Sequence, residues 1–138
     1  MFCYQCEQAA NGRGCTKIGV CGKDPEVSAL QDLLIYSMKG LSLVAVEGRG
    51  HGVVDDDVNR FLAKGLFSTL TNVDFDPKRF VKLIRRSVEL REVLKAKVRS
   101  AGGRTDFAHG SASYTPAADV EGLTKQGREV RERVPDAM

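Results

Sequence analysis

All four cysteines of this 138-residue chain fall within "MFCYQCEQAANGRGCTKIGVCG", as Cys3, Cys6, Cys15 and Cys21, and none follows. A C-x2-C pair brings two sulfurs close enough to share one metal ion or one edge of a cluster. Two further thiols across a glycine-rich loop complete a four-thiolate set. Such a segment is shaped by side-chain chemistry, which leaves the hydrophobic core to the rest of the chain. The expected division is a cysteine-rich binding segment over 1–24 and a packed domain over 25–138.

Three chemistries suit the cysteines. A disulfide framework belongs to oxidising compartments. This sequence opens without a basic-then-apolar leader and shows no apolar run of the ~18–20 residues needed to cross a bilayer, so it reads as intracellular with free thiols. Structural zinc usually pairs two short knuckles, whereas here the second pair is separated by five residues. Iron–sulfur sites often join one tight pair to more distant cysteines without histidine. Gly12, Gly14, Gly19 and Gly22 suit that reading, because bare backbone approaches a cluster and turns amides toward its sulfides. Arg13, Lys17 and Lys23 are candidates to offset its negative charge, though each also reads as ordinary solvated surface. Spacing alone favours a cluster and leaves zinc open.

From residue 24 the pattern becomes helical. Asp24 and Pro25 form a cap-then-proline start, and Leu30, Leu33, Leu34, Met38, Leu41 and Ala45 follow at spacings of three and four until Gly48, Gly50 and Gly52. A second helix is expected from about Asp55 to Leu70, with Val58, Phe61, Leu62, Leu66 and Leu70 as its apolar positions. Asp76-Pro77 opens a third that runs to Ser100, facing inward through Phe80, Leu83, Ile84, Val88, Leu94 and Val98. Residues 103–114 read as a loop, and Thr115-Pro116 opens a weaker fourth helix ending near Val134-Pro135. No strand alternation is sustained. The fold class is all-α, an antiparallel helical bundle behind an irregular amino-terminal iron–sulfur-binding cap.

The stretch "MFCYQCEQ…GCTKIGVCGKDPEVSALQDLLIYSMKGL" resembles the amino terminus of the hybrid-cluster proteins, also called hydroxylamine reductases or prismane proteins. "LFSTLTNVDFD" at 66–76 and "ELREVLKAKV" at 89–98 are similar to two further stretches of that family. The resemblance implies that Cys3, Cys6, Cys15 and Cys21 hold one [4Fe–4S] cluster. It also implies that an electron-donor protein, ferredoxin-like or a reductase, reduces it. In that family the electrons go to a second, mixed Fe–S–O centre that reduces hydroxylamine or nitric oxide. With no fifth cysteine this chain cannot build that centre, so it is expected to be the incomplete first domain of a longer enzyme, working with the remaining domains. Helices lacking those partners are expected to leave apolar surface exposed. The alternative is a zinc-stabilised helical interaction module without redox activity.

Other residues carry weaker expectations. His51 and His109 are possible ligands that four thiolates make unnecessary. Phe2 and Tyr4 flank the first cysteine and would shield a cluster from water. The family resemblance implies that Thr71 and Asn72 face the missing centre. Residues 77–104 hold 10 basic and 2 acidic side chains, a solvated helix face or a dock for an acidic electron donor. Few aromatics interleave them, so no nucleic acid is expected. Neither a membrane nor a substrate pocket is expected, and the location is expected to be cytoplasmic.

Overall fold

Among the described residues each α-helix begins on an aspartate whose carboxylate accepts from amides of the first turn, which satisfies donors that helix geometry leaves unpaired. Asp24 Oδ1 accepts from Val27 N at 2.8 Å ahead of α1 (Pro25–Gly50). Asp55 accepts from Asp57 and Val58 ahead of α2 (Asp56–Ser68), and Asp76 from Lys78 ahead of α3 (Pro77–Ser100). Asp119 accepts from Gly122 N at 2.7 Å over the first turn of α4 (Val120–Glu132). The computed structural model describes residues 3, 6, 10–70 and 75–132. Among them are these four α-helices, short 3₁₀ turns at Ala10–Gly12 and Gly110–Ala112, and one isolated bridge between Cys3 and Cys15. The protein is all-α.

The apolar stripes assemble into two clusters stacked along α1. Val27, Leu30, Leu33, Leu34 and Met38 meet Phe80, Ile84, Leu123 and Val130 at one end. Leu41, Val44 and Ala45 meet Val58, Leu90, Leu94 and Val98 at the other. Early α1 thus packs on early α3, late α1 on late α3, and the two run in the same direction. Between them α2 runs back, with Val58 in the far cluster and Gly65 against Met38. Helix α4 also runs against α1. Its Gly127 lies so close to Ala29 that a Cβ there would fall 2.0 Å from the Ala29 carbonyl oxygen.

Several expectations need correction. Helix α1 continues through Gly48, which is buried against Val98 and Val53, and stops at His51 with Gly52 at φ 77°. Contrary to the sequence reading, α1 meets the length and composition needed to cross a bilayer. Most of it is buried against α2, α3 and α4, as suits the central helix of a bundle. The fourth helix starts at Val120, four residues later than expected. Residues 115–117 are instead irregular, with Gln126 binding both the Thr115 carbonyl and the Ala117 amide, at 3.1 and 2.9 Å. Leu66 and Leu70 point outward, 55% and 42% exposed, as do Phe67 and Val46. The expected ends at Val134-Pro135 and the positions Phe2, Tyr4, Thr71 and Asn72 lie outside the described residues.

Candidate metal centre

Left-handed backbone shapes the cysteine segment. Asn11, Gly12, Gly14 and Gly22 have φ of 54°, 66°, 100° and 93°, a region that glycine enters without a Cβ penalty. The coil returns Cys15 to the start of the chain, where its amide donates to the Cys3 carbonyl at 2.6 Å. A second small loop closes where Gly19 N donates to Lys23 O at 2.7 Å and Gly22 N to Gly19 O at 2.8 Å. Cys21 sits in that loop with its sulfur against Gly19. None of the four is joined in a disulfide. Cys15 is buried, and Cys3, Cys6 and Cys21 are partly buried.

Lys23 follows the second loop, and the turn at Gly22 drives its side chain inward. It is 1% exposed, the largest fully buried side chain among the described residues. Its ammonium lies 3.9 Å from Cys3 Sγ and donates to the Thr69 carbonyl at the carboxyl end of α2, at 3.4 Å. Arg13 and Lys17 are exposed. Of the three cations picked out in the sequence, one is therefore built into the site and two are surface. The only sequence signal for that difference was Gly22 between the last cysteine and the helix cap.

Lys23 also acts on Asp32, one buried layer further along α1. Burial raises the Asp32 carboxyl above the usual carboxylate range, and the charges of Arg131 and Lys23 pull it back. Asp32 accepts from Arg131 Nε, and Arg131 also reaches Ser28 Oγ at 3.3 Å. A line of alternating charge thus runs from Cys3 through Lys23 and Asp32 to α4.

Among the described residues no three His, Cys, Asp or Glu side chains stand close enough together to hold a metal ion. The structure joins Cys3 to Cys15 by backbone and Cys3 to Lys23 by side chain, without gathering four sulfurs. The donor set nonetheless fits a thiolate-held centre. Left-handed backbone at Gly14 and Gly22 flanks Cys15 and Cys21, and a buried ammonium suits the negative charge of bound thiolate better than neutral thiol. Neither histidine joins them. His51 pairs with Glu47 at 3.3 Å at the far end of α1, about 39 Å of helix away for 26 residues. His109 Nδ1 bonds Ser111 Oγ at 2.7 Å, and its ring lies 5.8 Å from Tyr36.

Much of the basic stretch is turned to internal use. Arg91 is 3% exposed, donating to the Ser111 carbonyl at 3.1 Å and to Glu92. Lys95 holds the Ala112 carbonyl, Lys97 pairs with Asp55 at 3.0 Å, and Arg85 reaches the Ala118 carbonyl at 2.8 Å. These cations fasten the 104–119 connection and the α2 cap onto α3. An open apolar groove of about 610 Å³, unanticipated from sequence, runs beside α1 between Met38, Val46, Leu62, Leu66 and Phe107.

Comparison with known proteins matches residues 1–134 to a family described as the Prismane/CO dehydrogenase family. A hydroxylamine reductase of Syntrophobacter fumaroxidans is 64% identical over 130 residues, covering 94% of this chain and 24% of the relative. One from Methanocella arvoryzae is 56% identical with the same coverage. One from Clostridium tetani is 44% identical over 99% of this chain and 24% of its own length. The chain spans about a quarter of the length of these relatives.

Proposed function

The chain belongs to the Prismane/CO dehydrogenase family, and from that membership we propose that it is the amino-terminal electron-relay portion of a hybrid-cluster-type hydroxylamine reductase. The observation that carries the reading is the set Cys3, Cys6, Cys15 and Cys21, none joined in a disulfide, with a buried ammonium against the first. Those four cysteines would hold one [4Fe–4S] cluster. When bound, such a cluster stores one electron at a time between a donor protein and the rest of the enzyme. The chain's own residues ligate it, keep water from its Cys15 edge and set a positive charge beside it. The complete reaction is NH2OH + 2e⁻ + 2H⁺ → NH3 + H2O, or 2NO + 2e⁻ + 2H⁺ → N2O + H2O. Both belong to a mixed centre that this chain, with four cysteines in all, does not build.

The partners in this reading are the remaining domains of the enzyme and a cytoplasmic electron donor, ferredoxin-like or a reductase. No nucleic acid or membrane takes part. The test is anaerobic purification followed by visible absorbance and iron, sulfide and zinc analysis. The expected result is a brown protein with about four irons and four sulfides per chain. A colourless protein carrying one zinc would replace the relay with a zinc-stabilised interaction module.

A further inference from the structure

We propose that Lys23 is the positioning residue that sets the electron affinity of the metal centre, by fixing one desolvated positive charge against the Cys3 ligand. The inference rests on the reading of the four cysteines as ligands. It goes beyond that reading by singling out one cation and its effect.

A general excess of charge near the cysteines does not do this. Arg13 and Lys17 are exposed, so solvent and salt screen them over roughly 8–10 Å. Lys23 is 1% exposed, with Nζ 3.9 Å from Cys3 Sγ. At that range and burial a charge acts through a low effective dielectric, several times more strongly than in water. Adding an electron makes a thiolate-held centre more negative, so a fixed ammonium at its edge stabilises the reduced form. The Thr69 carbonyl, at the negative end of α2, holds the ammonium in place at 3.4 Å. Asp32 and Arg131 lie behind it, and their opposite charges largely cancel each other. The same contact fastens the cysteine segment to the bundle, so a test must separate charge from fastening.

The test uses the complete chain loaded anaerobically, with the midpoint potential read by electron paramagnetic resonance during redox titration. Lys23→Met is expected to shift the ratio of reduced to oxidised centre tenfold toward oxidised, which is 59 mV more negative for a one-electron couple. Lys23→Gln keeps an N–H donor toward Thr69 without the charge. It is expected to shift as far as Lys23→Met and serves in its place should the methionine variant not fold. Lys23→Arg restores the charge and returns the potential toward wild type, while Lys17→Met leaves it unchanged. A wild-type potential in both neutral variants overturns the proposal. Should the wild-type chain take up no iron, the relay reading falls by itself, and Lys23 is then judged with cobalt(II) alone. There Lys23→Gln is expected to weaken binding at least tenfold, and unchanged affinity overturns the proposal.

Discussion

Replacing Gly127 with alanine tests how α4 is held over the first turns of α1, which carry the cysteine segment. On propensity alone the change helps, because alanine in a helix interior is favoured over glycine by about 1 kcal/mol. Packing opposes it. The new Cβ would stand 2.0 Å from Ala29 O and 2.6 Å from Ala29 C, both backbone atoms with no rotamer to change. Non-bonded carbon contacts are optimal at about 3.5–4.0 Å, so α4 must retreat by more than about 1 Å. Overpacking of this kind costs up to about 3 kcal/mol. The retreat also loosens Leu123 and Val130, 0% and 9% exposed, whose full burial is worth about 1.5–3 kcal/mol each. The net loss is about 2 kcal/mol if only the clash is counted, and about 4 if half of that burial is lost. At this chain length a loss of that size lowers Tm by roughly 6–15 °C. Thermal unfolding followed by far-ultraviolet circular dichroism reads it directly. Gly50→Ala is the control. Gly50 lies in α1 with nothing within 4 Å of its would-be Cβ, so the same substitution should be neutral or slightly stabilising. A Gly127→Ala chain as stable as wild type, beside a well-behaved control, would refute the reasoning.

Three further outcomes follow from the same geometry. The Asp55 carboxyl is held below its usual 3.8 chiefly by the hydrogen bond from Lys97, then by the Val58 amide. Its contribution is therefore present above pH 3.8 and is lost as pH falls through the lower folded value. Asp55→Ala should cost about 1 kcal/mol at neutral pH, and the gap from wild type should close in strong acid when urea midpoints are compared across pH. Arg91→Met removes the donor from the Ser111 carbonyl in a residue that is 0% exposed. Leaving that group unsatisfied should cost about 1–3 kcal/mol, seen as a lower urea midpoint at unchanged slope. Cys15→Ser should abolish the visible absorbance and bound iron of the loaded chain while leaving helical circular dichroism intact, since neither core cluster includes a cysteine. A loss of helix in that variant would show that the cysteine segment and bundle fold as one unit.

The helices were legible because two independent signals agreed. Asp24-Pro25 and Asp76-Pro77 announced starts that the structure places at Pro25 and Pro77, and the apolar spacing behind Pro25 matches the residues that are buried. Behind Pro77, Phe80, Ile84, Leu94 and Val98 are buried as expected, whereas Leu83 and Val88 are half-buried and Leu90 takes an inner place instead. Where only one signal was present the reading slipped. Thr115-Pro116 looked like a start, yet Gln126, ten residues downstream, pins Thr115 and Ala117 outside the helix, and Asp119 supplies the cap. Likewise Leu66 and Leu70 fit the apolar period of α2, but the period says which face a residue shares and not whether anything covers that face. In the described chain nothing does.

The cysteine segment was illegible for a different reason. No described residue before Val27 belongs to either hydrophobic cluster, so burial of apolar area does not decide its shape as it does for the helices. What fixes it is polar and local: left-handed turns at Gly12, Gly14 and Gly22, the Cys15–Cys3 backbone bond, and Lys23 reaching under the loop to Cys3 and Thr69. A sequence reports which residues can donate to a metal. The approach of four sulfurs depends on bonds to the metal itself, which no hydrophobic period encodes. Lys23 shows the same limit from the other side. As a letter it is one cation among three near the cysteines. Its distinction comes from the direction in which Gly22 turns the chain and from the carbonyl at the end of α2, 46 residues away, that receives it.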